Sequence, residues 1–328
     1  MTAELTTRIL AADDNAIAEA VRVLAAGGLV AFPTETVYGL GADATNGTAV
    51  ARLYVAKARP AFNPLIAHVA DIASARKLAL FEDAAEKLAK AFWPGPLTLV
   101  LRKRADCPVA DLATAGLDTI AVRVPVHPVA HEILCRLGKP VVAPSANRSG
   151  HVSPTTAAHV LSDLRGRIDL VIDGGPAPVG VESTIVGCAN GRVLLLRPGG
   201  IARAHIERIL DRPLADAPQR EGEAPSAPGM LASHYAPKAR LRLNADIVQE
   251  GEALLAFGTV LPPGAAHAKQ VLNLSERGDL VEAAANLFAH LRTLDAAGAK
   301  RIAVMPVPHH GLGEAINDRL ARAAAPRD

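Results

Sequence analysis

Strand-like and helix-like segments alternate through the first part of this chain, and that alternation restricts it to an α/β architecture built on a mixed sheet. Residues 15–26 place Ile17, Val21, Val23 and Leu24 mainly on one helical face. Asp14 or Asn15 is available as the N-cap, and Gly27 and Gly28 stop the helix. Apolar runs at 29–33, 65–69, 97–101, 119–124, 140–143, 169–173, 183–188 and 192–196 read as strands. Helical patterns at 47–57, 83–92, 127–137 and 154–164 fall between them. No repeat of solenoid period occurs.

The pattern breaks after residue 210. Residues 211–239 are rich in Pro, Ala and Gly without a sustained period, which reads as a linker. Strand patterns resume at 239–244, 253–257 and 301–305, with helices at 279–297 and 313–324. The expected division is therefore a domain over 1–210, a linker over 211–239 and a small α/β domain over 240–328. A length of 328 residues also favours about two domains.

Composition excludes some classes. The 35 Lys and Arg against 33 Asp and Glu leave a formal charge of +2, so any RNA contact would have to be local. No run of about 18 apolar residues escapes interruption by charge, Gly or Pro, so no membrane association is expected. The opening residues carry early acids and do not read as a signal peptide. Cys107, Cys135 and Cys188 lie far apart with no zinc or disulfide spacing, which suits a reducing, cytoplasmic setting. There is no GxxxxGK[ST], no GxSxG and no HExxH. Gly39-Leu40-Gly41 lacks the third glycine of a dinucleotide fingerprint, since position 44 is Ala.

Polar residues gather instead at strand ends and loops, where an open α/β sheet places its ligands. They fall in Pro33–Gly41, Lys57–Pro60 with Asn63–His68, Thr119–Pro125, Ala143–Asn147 with Ser153–Thr155, Gly180–Val186 and Leu196–Gly199. Singly, each has a plainer reading. A Thr or Ser after a strand caps or turns. Arg123 could be a salt-bridged strand residue, His68 a core histidine, and Lys57 and Arg59 complements to a helix dipole. Together, their cations, hydroxyls and amides suit an oxygen-rich anion such as a triphosphate, plus a carboxylate.

The strings FPTETVYGLGA, KARP…NPLIAHV, WPGPLTLVL, AGLDTIAVRVP, APSANRSG…SPT, GVESTIV and LRPG resemble the YrdC-like family. SAPGMLASHYAPKARL and the C-terminal α/β module resemble its two-domain threonylcarbamoyl-AMP synthases. The resemblance implies a YrdC-like twisted open mixed sheet with flanking helices, plus the smaller C-terminal α/β domain. It implies that L-threonine, bicarbonate (or CO2) and ATP give threonylcarbamoyl-adenylate and pyrophosphate. Partner proteins would then transfer the threonylcarbamoyl group to tRNA.

It also implies roles. Lys57, Arg59, Ser145 and Asn147 match the family's catalytic set. Lys57, Arg59, Asn63, Thr119, Ser145, Ser153, Arg197 and Tyr235 would face ATP. Thr34, His68, Arg123, Ala143 (through its backbone) and Ser183 would face threonine. Mg²⁺ is implied by ATP. No dedicated carboxylate cage stands out, so the ion would ride on phosphates and waters. Residues ~220–240 are expected to fold over the pocket as a lid, with Tyr235 on the nucleotide.

Two other readings compete. A non-catalytic RNA-binding module would use the concave basic face but needs no threonine pocket. A carbamoyl-transfer domain of hydrogenase maturation proteins shares the fold, but those proteins carry zinc-finger cysteines and an acylphosphatase-like segment that this chain lacks.

Overall fold

A computed structural model describes residues 5–217 and 234–326. The stretch 218–233, which holds most of the expected linker and lid, lies outside the described residues, as does Ser233. Twelve strands among the described residues form one large mixed sheet. They are β1 (Arg8–Ala11), β2 (Val30–Phe32), β3 (Gly39–Asp43), β4 (Ile66–His68), β5 (Ala79–Leu80), β6 (Leu97–Lys103), β7 (Thr119–Arg123), β8 (Val141–Val142), β9 (Leu170–Asp173), β10 (Thr184–Ala189), β11 (Arg192–Arg197) and β12 (Ala215–Asp216). Their order in space is β1-β9-β2-β3-β8-β4-β7-β6-β10-β11-β12, with β5 beside β6. A second sheet contains β13 (Arg240–Arg242), β14 (Ala253–Ala256), β15 (Val271–Asn273) and β16 (Arg301–Val304), all parallel, in the order β13-β16-β14-β15.

The alternation of sequence pattern thus becomes an α/β fold with flanking helices. The first helix, Asp14–Ala25, is capped by Asp13, whose carboxylate accepts the Ala16 amide at 2.7 Å. The expected caps, Asp14 and Asn15, are instead the first helical residues, because Asp13 holds the extended backbone a cap requires. The expected helix at 154–164 begins only at Ala157, since Pro154 and Thr155 precede its cap, Thr156. Within the expected linker, Ala215–Asp216 pairs with β11.

Two cores face the large sheet. One packs Leu53, Leu99 and Val122 with the helices Gly47–Lys57 and Asp83–Phe92. The other packs Leu24 and Ile133 from the helices Asp14–Ala25 and Pro128–Leu137 against Val30 and Ile172. A third core belongs to the small sheet and centres on Leu287, Phe288 and Leu291 of the helix Leu280–Ala296. It also takes in Val37, Val152 and Val181 from the loops of the larger sheet. Gly180 makes this close approach possible. Its φ is +77°, and a Cβ there would lie 2.3 Å from the Ala284 carbonyl oxygen. No described helix is long and apolar enough to cross a membrane.

Candidate active site

Strand pairing assembles the first half of the site. His68, Arg123 and Thr98 occupy one row across β4, β7 and β6, so their side chains share a face. Arg123 is 4% exposed. Its Nη1 donates to Thr36 Oγ1 at 2.9 Å, its Nε donates to the Gly95 carbonyl at 3.4 Å, and its Nη2 bonds Glu35. Thr34 Oγ1 lies 2.8 Å from Thr36 Oγ1. Thr98 Oγ1 lies 2.7 Å from Ser183 Oγ, tying the start of β10 to the same row. The His68 pKa is pushed down to about 3 by burial and then by the Arg123 charge, so its imidazole is neutral at pH 7. Its Nδ1 lies 3.1 Å from the Ile66 carbonyl. Ala143 follows the short β8 strand, and its amide donates to the Ile66 carbonyl at 3.1 Å. The Arg/His/Thr group expected for threonine is therefore one contiguous cluster.

The second half is cationic. Lys57 closes the helix Gly47–Lys57, and Ala58 at φ +50° turns the chain away. Lys57 is 1% exposed, and its Nζ donates to the Ser145 and Asn147 carbonyls. Burial, and then the charge of Arg59, hold its pKa well below the usual lysine value. Burial brings Arg59 down to about 10, so it stays charged at pH 7. Arg59 Nη2 donates to the Pro64 carbonyl at 2.9 Å. Arg197 is 4% exposed, and its Nη2 donates to the Ser183 carbonyl at 2.9 Å. Burial lowers its pKa as well. Cations crowded under desolvation favour an anionic ligand, which relieves both penalties.

Buried polar atoms without hydrogen-bond partners fall partly in the same place, while His290 lines a groove of the small sheet. Among the described residues these are Asn63 Nδ2 and Oδ1, Asn147 Oδ1, His234 Nδ1 and His290 Nδ1. Asn63 and Asn147 are each 1% exposed, so their vacant valences are sealed from bulk water. Each such group costs about 1–3 kcal/mol. A ligand that bonds them returns that cost.

Other expected residues are placed as follows. Ser153 is fully buried, and its hydroxyl donates to Glu182. Thr119 is half-buried and sits at the opposite end of β7 from Arg123 on the same face, roughly 13 Å along the strand. It makes no bond that joins it to the other candidates. Between the two ends lie Ala121, Ile66 and Val100, each 5–6% exposed, forming a small apolar floor. Tyr235 is 1% exposed, stacks on Phe288 at 5.5 Å between ring centres, and adopts φ +62°. A residue with a side chain holds that conformation only where its surroundings fix it. The lid expected over ~220–240 is described only from His234 onward. The groove of about 860 Å³ lined by Gly258, Asn273, Glu282 and His290 belongs to the small sheet and contributes none of the expected site residues.

Sequence reasoning placed Glu35, Thr36 and Glu182 within its polar segments but gave them no role, and it missed Arg319. Glu182 is 6% exposed, and its Oε2 accepts Arg319 Nε at 2.8 Å. Although burial pushes its carboxyl up, Arg319 and Arg197 bring it below the usual range. The one available signal was Arg319 itself, a cation on the apolar face of a helix among Ile316, Leu320 and Ala323.

Two family models match the chain, one described as "Telomere recombination" over residues 22–199 and one as "Threonylcarbamoyl-AMP synthase, C-terminal domain" over 201–325. The threonylcarbamoyl-AMP synthase of Bacillus subtilis is 42% identical over 97% of this chain and 95% of its own length. That of Pyrococcus abyssi is 42% identical over 92% of each. The crystal structure of P. abyssi Sua5 complexed with L-threonine superposes with a TM-score of 0.86 at 38% identity, covering 98% of this chain and 97% of that one. A variant of the same protein with a His–Tyr pair replaced by alanine gives a TM-score of 0.88 at 38% identity, covering 97% and 96%. In sequence over nearly its whole length and in the arrangement of both its sheets, this chain belongs to the threonylcarbamoyl-AMP synthase family.

Proposed function

We propose that this chain condenses L-threonine, bicarbonate (or CO2) and ATP to L-threonylcarbamoyl-adenylate and pyrophosphate. The observation that carries the reading is the meeting, on one sheet, of a buried cation set with vacant amide valences and a buried Arg/His/Thr cluster. The first suits a triphosphate, and the second suits an amino acid. Threonine-complexed P. abyssi Sua5, which superposes along nearly the whole chain, supports threonine as the substrate.

The chemistry asks little covalent work of the protein. Threonine's amine adds to bicarbonate, with loss of water, to give a carbamate. A carbamate oxygen then attacks the α-phosphorus of ATP, and pyrophosphate departs. Positioning and charge stabilisation dominate such a reaction. Arg123, oriented by Glu35 and Thr36, takes the threonine carboxylate, and the neutral His68 adds no second cation beside it. Lys57, Arg59 and Arg197 hold phosphate oxygens. Ser145 and Asn147, whose carbonyls already fix Lys57, lie beside the reacting phosphate. Thr119 and Asn63 serve the nucleoside side, and Ser153 orders Glu182 behind the phosphates. A Mg²⁺ bound with ATP would supply charge neutralisation on the phosphates. Glu35 and Glu182 are each committed to an arginine, so such an ion would rely on phosphate oxygens and water rather than on these carboxylates. The product would pass to proteins that modify tRNA, in a cytoplasmic setting.

An RNA-binding module would present its cations on an open face. Here Lys57, Arg123 and Arg197 are 1–4% exposed, which favours catalysis on a small enclosed substrate. The test is pyrophosphate release from ATP. It should require both threonine and bicarbonate, and release that ignores either one would reject the proposal.

A further inference from the structure

Arg319 has no exposed surface, yet it lies on the apolar face of the helix Gly313–Ala324 of the C-terminal module. Its guanidinium points across the boundary into the larger sheet's loops. Nε donates to Glu182 Oε2 at 2.8 Å, and Nη2 donates to the Pro198 carbonyl at 3.0 Å. Nη1 stays on its own helix with Asp318 at 2.5 Å. The guanidinium carbon lies 5.1 Å from the centre of the Tyr235 ring. Glu182, held this way, accepts the Ser153 hydroxyl through its other oxygen. One side chain thus joins four segments, those of Ser153, Glu182, Pro198 and Tyr235.

We propose that Arg319 is a positioning residue for the nucleotide site, so that the C-terminal module completes that site. The inference rests on the reading of Ser153, Arg197 and Tyr235 as nucleotide-facing. The physical logic is local. A fully buried cation is costly unless its partners are well placed, and its neighbours on this helix face are all apolar. Its five donors form a planar fork, which fixes Glu182 and Pro198 relative to each other. Gly199 follows directly, and a Cβ there would lie 2.4 Å from the Glu182 carbonyl oxygen, so the two segments are already in contact. Arg319 sets how this packed pair meets Tyr235.

The boundary also carries Arg203, whose Nη2 lies 2.6 Å from Glu314 Oε1 and whose side chain bonds Glu314, Asp216 and the Leu214 carbonyl rather than Glu182 or Pro198. That pair separates a positioning role from a stapling one. Steady-state pyrophosphate release is measured with ATP and threonine varied in turn for Arg319→Met, Arg319→Lys and Arg203→Met, each checked by thermal unfolding. Arg319→Met should raise the KM for ATP by about tenfold or more. Threonine KM should change by about twofold or less, well inside the tenfold step that marks 1.4 kcal/mol. Arg319→Lys should recover part of the loss, because it keeps the charge without the fork. Arg203→Met should leave ATP KM near wild type. Should Arg319→Met fail to fold, the ATP-against-threonine split in Arg319→Lys decides. Equal losses for both substrates, an unchanged ATP KM in a folded variant, or the same ATP defect in Arg203→Met would overturn the inference. A wild-type chain that releases no threonine-dependent pyrophosphate would instead overturn the functional reading on which it rests.

Discussion

Replacing Glu35 with glutamine tests whether Arg123 is held ready for a carboxylate. The Arg123 and Glu35 side chains are 5% and 6% exposed, and Glu35 Oε2 also accepts the Val126 amide at 3.3 Å. Glutamine keeps the shape and one acceptor but removes the charge. Outright loss of one partner of a buried ion pair costs about 3–5 kcal/mol. A hydrogen bond to a charged group contributes about 1.5–3 kcal/mol. Because Thr36 and Gly95 still bond the guanidinium, the expected loss is about 2–3 kcal/mol. Threonine bound at Arg123 would restore the missing carboxylate, so it should stabilise Glu35→Gln more than it stabilises wild type. Urea unfolding read by Trp93, the single tryptophan, reports this region directly. Threoninol, which lacks the carboxylate, is the control. Equal shifts by threonine in both proteins, or equal shifts by threoninol, would refute the reasoning.

Acid should weaken the fold. The pKa values of His68 and His234 are pushed down to about 3 and that of His159 to about 4, each chiefly by burial. The folded chain keeps these rings neutral, while the unfolded chain takes up protons below about 6.5. Their contribution is therefore complete above that value and is lost as pH falls toward the folded values, by up to about 1.4 kcal/mol per pH unit for each of the buried His68 and His234 and by less for His159, which solvent partly screens. Unfolding free energies between pH 7 and 5 should show it, and His68→Asn should lower the slope by about one proton; a flat profile would contradict the burial argument. ATP binding should raise the Lys57 pKa, because phosphate charge opposes the burial and the Arg59 repulsion that lower it. NMR titration of the labelled lysine side chain with and without ATP measures the shift, and a Lys57 pKa that stays put or falls on ATP binding would count against the assignment. Gly199→Ala must displace the Glu182–Thr184 backbone, whose nearest atoms lie 2.4 Å from the added Cβ. It should cost about 1–3 kcal/mol and reduce turnover, and a variant as stable and active as wild type would show that this packing is not needed.

The fold was readable where periodicity was strong. The helix Gly47–Lys57 and the strands holding His68, Arg123 and Ser183's neighbour Thr184 follow directly from apolar runs. The strand Gly39–Asp43 was not legible, because two glycines and no β-branched residue hide it. Those glycines answer to packing, since a Cβ at Gly41 would lie 2.6 Å from the Phe32 ring. Candidate cations stood out because charge interrupting an apolar run is itself a signal. Glu35 and Glu182 gave no such signal, for their roles come from partners 88 and 137 residues away. Lys57 was read as a phosphate ligand, but its anchoring to the Ser145 and Asn147 carbonyls emerges only from tertiary contact.

The central claim is that one sheet brings an amino acid's carbamate to the α-phosphorus of ATP. Mass spectrometry of products formed from ATP, L-threonine and ¹³C-bicarbonate tests it most directly. The expected product is an AMP conjugate carrying threonine and the labelled carbon, formed one-for-one with pyrophosphate. ADP with inorganic phosphate, or an AMP conjugate without the label, would contradict it.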